Sequence, residues 1–368
     1  MPDFPYARLR RWPDVEAENL QAYDATDMLL VEWAIETGLP GVEIAVIGDE
    51  YGAITLALTD AGRTGVRVHQ DLATGRCALA RNAEELGLSG FASHELSPAL
   101  LDGARLVLLQ LPKSLAELEE IADAVARSAA PDVVLVAGGR VKHMTLAQNE
   151  VLGRFFGAVQ AQRAQRKSRL IVASEPLTVA GPPPFPVSAQ HDGLTLVAHG
   201  GAFAGARLDI GTRVLLDALD RVPAAADVVD LGCGTGALAV SYALAHPSSR
   251  VIATDRSAAA AASALATAAA NGVGDRVVVM HDDAASEIDD ASVDVVLLNP
   301  PFHLGSSIHT GAATRLFEAA ARILRPGGVL WCVYNSSLAY RGELRRLVGP
   351  TEQVVRTPKF TVTRSVRH

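Results

Sequence analysis

Val228-Val-Asp-Leu-Gly-Cys-Gly-Thr-Gly-Ala237 sets a β-branched apolar strand directly against a turn holding three glycines, and Ala237–Ala245 continues as an alanine-rich helix. Strand, glycine turn and helix in that order form the unit of an open parallel sheet covered by helices. The glycines let the backbone turn sharply and approach a ligand closely. Further outward, Val251–Thr254, Val277–Met280, Val293–Leu298 and Val329–Val333 read as strands, and Ala258–Ala270, closed by Asn271-Gly272, as a helix between them.

The same rhythm occupies the N-terminal half. Val42–Ile47, Val66–His69, Leu106–Leu109 and Val133–Ala137 read as strands, with Ala78–Leu86 and Leu115–Ser128 as amphipathic helices. Val46-Ile-Gly-Asp-Glu-Tyr-Gly52 aligns on Asp230–Gly236, with Gly48 to Gly232 and Asp71 to Asp255 both 184 residues apart. A constant offset points to an internal duplication. In the first copy the strand-end acid is Val46 and the middle glycine is Glu50, whose side chain would crowd a ligand, so this copy reads as one that has lost its ligand. Gly181-Pro-Pro-Pro-Phe-Pro186 can sustain neither helix nor central strand. The expected division is residues 1–180, a connector at 181–198, and residues 199–368. The fold class is α/β, two tandem Rossmann-like domains with a degenerate N-terminal copy.

Gly232-Cys-Gly-Thr-Gly-Ala237 also satisfies the dinucleotide pattern G-x-G-x-x-G/A. Asp230, two positions ahead of it, separates the ligand classes. A carboxylate at the strand tip repels a pyrophosphate and favours the ammonium and sulfonium of S-adenosylmethionine. Asp255, ending the next strand, can accept from both ribose hydroxyls, which either class carries. Asp283, just after Val277–Met280, is placed for an adenine amino group, or is a solvated acid beside Asp282. Acids at three successive strand ends suit a cationic ligand and suit NADP poorly.

Val293-Asp-Val-Val-Leu-Leu-Asn-Pro-Pro-Phe-His303 is the most specific segment of the chain. Two prolines fix the backbone as the strand ends, remove two donors and leave carbonyls facing the crevice. Asn299 Oδ1 and the Pro300 carbonyl can then accept both N–H bonds of an exocyclic amine, favouring a pyramidal nitrogen whose lone pair faces the methyl group. Phe302 offers a face for the target base to stack on. His303 is a candidate to receive the released proton, to touch a phosphate, or to do neither.

Asp230–Gly236, Asn299–His303 and Leu324-Arg-Pro-Gly-Gly328 together resemble class I S-adenosylmethionine-dependent methyltransferases. Within them, the tandem copies make the chain similar over nearly its whole length to the ribosomal RNA guanine-N2 methyltransferases, the family of small-subunit methyltransferase C and large-subunit methyltransferase G. Leu20–Asp27, Leu111–Leu118 and Ser168–Ile171 look more like the large-subunit branch. The resemblance implies a catalytic C-terminal domain that methylates N2 of one guanine in 23S ribosomal RNA, with the N-terminal domain helping to hold RNA. It also implies that Asp209-Ile-Gly-Thr-Arg213 lies over the methionine part of the donor, with Asp209 and Thr212 as contacts. Phe203-Ala-Gly-Ala-Arg207 departs from the family's Phe-x-Arg, with glycine at 205 and arginine two positions on. In the first copy Gln110-Leu-Pro-Lys113 stands in place of Asn299–Phe302, so catalysis is not expected there. Competing readings are a small-subunit guanine-N2 enzyme, an adenine-N6 or glutamine-N5 methyltransferase, and a non-catalytic RNA-binding assembly factor.

The 368 residues carry a formal net charge of −8, which argues against a uniformly basic nucleic-acid coat. Two stretches reverse that average. Residues 138–170 hold seven basic side chains against Glu150, and residues 341–368 hold seven against Glu343 and Glu352. Such patches supply salt-dependent phosphate contacts. The target base must be unstacked to reach Phe302, so a loop, a bulge or a partly unfolded RNA segment is the expected partner. Cys77, Cys233 and Cys332 offer neither a disulfide framework nor a structural zinc site, and no metal is expected. Met1-Pro-Asp-Phe-Pro5 lacks the order of a signal peptide, and no apolar run would span a bilayer, so a cytoplasmic protein without membrane contact is expected. The sequence sets no oligomeric state, with a monomer the expected form.

Overall fold

Short apolar runs bounded by turns become strands buried on both faces. The computed structural model describes residues 4–17, 19–301 and 310–368, and the chain divides into two units, Met1–Phe185 and Pro186–His368. The first unit runs α1 (Ala25–Thr37), β1 (Ile44–Ile47), α2 (Ala53–Asp60), β2 (Val66–His69), α3 (Ala73–Leu86), β3 (Phe91–Ser93), α4 (Pro98–Leu101), β4 (Leu106–Gln110), α5 (Leu115–Ser128), β5 (Val134–Arg140), α6 (Leu146–Leu152), β6 (Phe156–Ala161) and β7 (Ser168–Pro176). The second continues β8 (Val187–His191), β9 (Leu194–Ala198), α7 (Ile210–Leu216), β10 (Asp227–Leu231), α8 (Ala237–Ala245), β11 (Arg250–Asp255), α9 (Ala258–Ala270), β12 (Val277–His281), β13 (Val293–Leu298), α10 (Thr310–Ile323), β14 (Leu324–Asn335), α11 (Arg341–Leu347), β15 (Thr351–Arg356) and β16 (Phe360–Val366).

The two large sheets share one topology, β3-β2-β1-β4-β5-β7-β6 and β12-β11-β10-β13-β14-β16-β15. In each, the inner strands are parallel and the last two antiparallel. Order reverses beside β10, between β11 and β13. A crevice at the carboxyl ends of strands at such a switch point is where open α/β sheets bind ligands. Each sheet has an apolar cluster on either face; Leu297, Trp331 and Val333 point to one side of the second sheet, and Leu298, Leu330 and Cys332 to the other.

Four expectations shift. Strand β1 starts at Ile44 because Val42-Glu43 lies in a 3-10 turn with Val42 exposed. Helix α1, absent from the sequence reading, begins at a capping box: the Asp24 carboxylate accepts from Thr26 N (2.6 Å) and Asp27 accepts from Asp24 N (2.7 Å). Strand β14, expected over Val329–Val333, reaches back through Leu324–Gly328, with a register shift against β13 between Val293 and Val295. The connector is also shorter than 181–198. Arg127 of α5 donates to the carbonyls of Gly181 (2.9 Å) and Pro182 (3.3 Å), while residues 187–198 form the β8–β9 hairpin.

That hairpin is strapped to α9. Thr195 N donates to Asn271 Oδ1 (2.9 Å), Val197 N to Thr267 Oγ1 (3.0 Å) and His199 N to Ser263 Oγ (2.9 Å). Four helical residues rise about 6.0 Å and two strand residues about 6.6–6.8 Å, so polar side chains every fourth residue of α9 track alternate residues of the strand.

Candidate active site

The glycine turn is built as its residue types require. Gly232, Gly234 and Gly236 all take positive φ (74°, 55° and 77°). At Gly236, which caps α8, a Cβ would also stand 3.0 Å from Ala264 Cα, so glycine lets α8 and α9 pack closely here. Asp255 ties the turn down: its Oδ2 accepts from Gly234 N (2.9 Å) and its Oδ1 from Ser257 N (2.9 Å). A carboxylate offers about four lone-pair sites, so these two bonds leave it able to accept from a diol.

Asp230 sits almost fully buried at the strand tip, with Oδ2 accepting from Ala239 N (2.9 Å), the third residue of α8. Burial pushes its carboxyl up to about 7, with the charge of Asp255 adding to the shift and the Ala239 N–H opposing it. The first copy keeps this cap by other means. Asp49, three residues later than the position of Asp230, accepts from Thr55 N (2.7 Å), the third residue of α2. Burial likewise raises the Cys233 thiol well above its ordinary range, so Cys233 is no nucleophile at neutral pH.

Asn299, at the end of β13, is held by α7. Its Nδ2 donates to Asp209 Oδ2 (3.0 Å) and Thr212 Oγ1 (2.8 Å), while Asp209 caps the helix by accepting from Thr212 N (3.1 Å). Because both Nδ2 hydrogens go to acceptors, the amide orientation is fixed: the flipped amide would set Oδ1 against the Asp209 carboxylate. Asn299 Oδ1 is left buried without a hydrogen-bond partner among the described residues. Gly211, behind it, has no side chain; a Cβ there would stand 3.2 Å from both Asn299 Oδ1 and Phe360 Cε1. The first copy repeats this join, Gln110 Nε2 donating to Asp27 of α1.

These groups share one cavity of about 300 Å³ lined from Phe203 to Thr212, by the glycine turn, by Asp255, Asp282 and Asp283, by Asn299-Pro-Pro301 and by α10. Five carboxylates face it, Asp209, Asp230, Asp255, Asp282 and Asp283, against the guanidiniums of Arg207, Arg256 and Arg315. Asp230 Oδ1, Thr254 Oγ1 and Asn299 Oδ1 are buried polar atoms without partners among the described residues, and all three residues line this cavity. Most buried polar groups in proteins are paired, and three of the eight such unpaired atoms among the described residues converge on this one cavity, which marks a site shaped for a polar, hydrogen-bond-donating ligand. The acid-lined wall fits a cationic one.

Of the residues expected from the sequence, Asp209, Thr212, Asp230, Gly232, Gly234, Asp255, Asp283, Asn299 and Pro300 line the cavity, with Gly236 just behind as the helix cap. Phe302 and His303 lie outside the described residues. Asp283 is no solvated acid: Arg315 of α10 pairs with its Oδ2. The sequence reading missed Thr254 and the α10 wall of Ala312, Arg315 and Leu316, whose spacing of three and four was there to be read. Among the described residues no His/Cys/Asp/Glu group could hold a metal, and no helix is long and apolar enough to cross a membrane.

Comparison with known proteins gives the family. The family model described as Methyltransferase small domain matches residues 193–364, and the RLMG N-terminal domain matches residues 3–177. The Ribosomal RNA large subunit methyltransferase G of Streptomyces avermitilis is 36% identical over 378 residues, covering 98% of this chain and 96% of that protein. That of Ectopseudomonas mendocina is 36% identical, covering 99% and 100%. A solved T. thermophilus 16S rRNA N2 methyltransferase, in complex with AdoMet and guanosine, shares the fold with a TM-score of 0.75 at 23% identity, covering 99% of each chain. With two tandem sheets of one topology, an acid-lined cavity in the second and relatives 36% identical over nearly the whole chain, the chain belongs to the ribosomal RNA large subunit methyltransferase G family.

Proposed function

We propose that this chain transfers a methyl group from S-adenosylmethionine to the exocyclic N2 amine of a guanine in large-subunit ribosomal RNA. The observation that carries the reading is Asn299: its Nδ2 is committed to Asp209 and Thr212, which leaves Oδ1 as an unpartnered acceptor at the rim of the acid-lined cavity. A guanine N2 amine is a poor nucleophile because its lone pair is delocalised. Acceptance of its hydrogens by Asn299 Oδ1 and the Pro300 carbonyl favours the pyramidal nitrogen that can attack. When bound, S-adenosylmethionine supplies the sulfonium-activated methyl group. Asp255 would hold the ribose hydroxyls, Asp230 the cationic end of the methionine part, and the Asp283–Arg315 pair would border the adenine.

The base must leave its stack to reach Asn299, so single-stranded or loosened RNA is the preferred substrate. A ribosomal RNA substrate places the reaction in the cytoplasm. The basic stretch near residues 138–170 is partly spent on structure, since Arg140, Arg154 and Arg166 pair with Asp24 (3.6 Å), Glu119 (2.9 Å) and Glu32 (2.8 Å). In the C-terminal stretch Arg364 is likewise paired, with Glu352 (3.1 Å), while Lys359 directly precedes Phe360, whose ring edges the Gly211–Asn299 wall, so this lysine is placed to meet an RNA phosphate near the cavity. The first unit, with Gln110 and Lys113 in place of Asn299 and Phe302, serves as the RNA-holding copy.

The test is incubation with labelled S-adenosylmethionine and ribosomal RNA from a strain lacking the enzyme, followed by nucleoside digestion and mass analysis. N2-methylguanosine in large-subunit RNA is expected; N6-methyladenosine, or no transfer to RNA, overturns the reading.

Donor binding should depend on pH through Asp230. Burial pushes its carboxyl up to about 7, so affinity for the cationic donor should rise between pH 5 and 7, by at most about tenfold per unit for a single proton. The fold itself responds with the opposite sign. A carboxyl pKa raised by folding makes the ligand-free protein lose stability as pH climbs from the unfolded value toward 7. Calorimetric titration of wild type and Asp230→Asn checks this: the substitution should flatten the slope, and a flat wild-type profile would sink the assignment.

A further inference from the structure

Phe203 is 71% exposed, yet it lines the cavity together with Ala204 and Arg207. Large aromatic side chains normally bury their rings. Trp12, at 50% exposure, is a different case, because the Arg81 guanidinium lies over its ring at 4.4 Å. Phe203 has no ring contact among the described residues and belongs to none of the apolar clusters. The Arg207 guanidinium beside it has no ion-pair partner among them either.

The loop that carries both residues is held in place. Ala204 and Gly205 take positive φ (62° and 58°), turning the chain back on itself, and Ala202 O accepts from Gly205 N (3.1 Å). Ala206 O is fixed by the His191 ring (Nε2 to O, 2.8 Å), so the β8–β9 hairpin braces the loop from outside. Upstream, His199 N is bonded to Ser263 of α9; downstream, Asp209 caps α7. A ring and a guanidinium four residues apart, neither with a partner among the described residues, on a braced loop at the cavity mouth match the chemistry of single-stranded RNA, a π-face for a base and a cation for a phosphate.

We propose that Phe203 is an RNA-recognition residue, a stacking platform at the mouth of the methyl-transfer cavity that takes a base of the unstacked RNA segment. This rests on the RNA methyltransferase reading above. Apolar contact alone would make any large aliphatic residue equivalent at position 203, whereas stacking needs a ring.

Steady-state transfer to unmodified ribosomal RNA at saturating donor tests the proposal in Phe203→Ala, Phe203→Leu and Phe203→Trp, with donor Kd by calorimetry. Phe203→Ala should raise the RNA KM by about 5- to 150-fold, the equivalent of about 1–3 kcal/mol, with kcat and donor Kd unchanged. Phe203→Trp should restore KM and Phe203→Leu should not. Weakened donor binding at unchanged RNA KM would mean that the ring covers the donor and overturns the proposal, as would a leucine variant equal to wild type. Fluorescence anisotropy of a short guanine-containing single-stranded RNA, on the donor-loaded protein and without turnover, keeps the two readings apart. Loss of binding in the alanine variant supports stacking even if no methyl reaches RNA, and unchanged binding overturns it even if methyl transfer is confirmed.

Discussion

Asn299→Ala is expected to lower kcat for methyl transfer by about 10²- to 10³-fold, the loss seen when one preorganised polar partner of a transition state is removed. The reason lies in how little freedom the amide has. Asp209 and Thr212 hold Nδ2 at 3.0 and 2.8 Å, so Oδ1 meets the amine without having to reorganise. Asn299→Asp supplies a sharper check. It keeps an acceptor but sets a second carboxylate against Asp209 Oδ2, and two such groups in contact share a proton, raising one pKa. The aspartate variant should therefore be nearly inactive at high pH and regain activity as pH falls, unlike the alanine variant. Both are read by single-turnover transfer to ribosomal RNA, with thermal unfolding to confirm that the fold persists. Wild-type turnover in Asn299→Ala would dispose of the clamp.

The second large effect falls on donor affinity. Asp255→Ala removes the acceptor expected to face the ribose hydroxyls, and hydrogen bonds to a charged group contribute about 1.5–3 kcal/mol each. Two of them correspond to a loss of about 10²- to 10⁴-fold in donor Kd. The same change frees Gly234 N and Ser257 N, which both depend on this carboxylate, so the glycine turn and the start of α9 should loosen as well. Asp255→Asn keeps one acceptor oxygen and should fall between. Calorimetry with S-adenosylmethionine decides: wild-type affinity in Asp255→Ala would remove Asp255 from the donor site.

Much of this site was legible in the chain. Glycines at 232, 234 and 236, acids at three strand ends and Asn299-Pro-Pro301 announce themselves by residue type at fixed spacing, and β10 to β13 follow from short β-branched runs. The duplication was legible too, in the offset shared by Gly48 and Asp71, and the common strand order of the two sheets agrees with it. What escaped depends on distance in space. Asp49 takes over the cap of Asp230 from a position three residues along, which no alignment column reveals. A charge count over residues 138–170 could not see that Asp24, Glu32 and Glu119 arrive from elsewhere to neutralise three of its arginines. Helix α1 hid because its apolar residues are spread around it rather than along one stripe, and only the capping box at Asp24 marked it.

The polar ladder on α9 has a further consequence for self-association. An open strand edge is a template on which another chain can add, and a two-stranded hairpin standing apart from the main sheets has edges of just this kind. Along β9 and the residue that follows it, the amides of Thr195, Val197 and His199 are already taken by Asn271, Thr267 and Ser263. A helix composed almost wholly of alanine thus keeps its two polar side chains, and the asparagine that caps it, where they close that edge, and a version with alanine at all three positions would still coil as a helix while leaving β9 sticky.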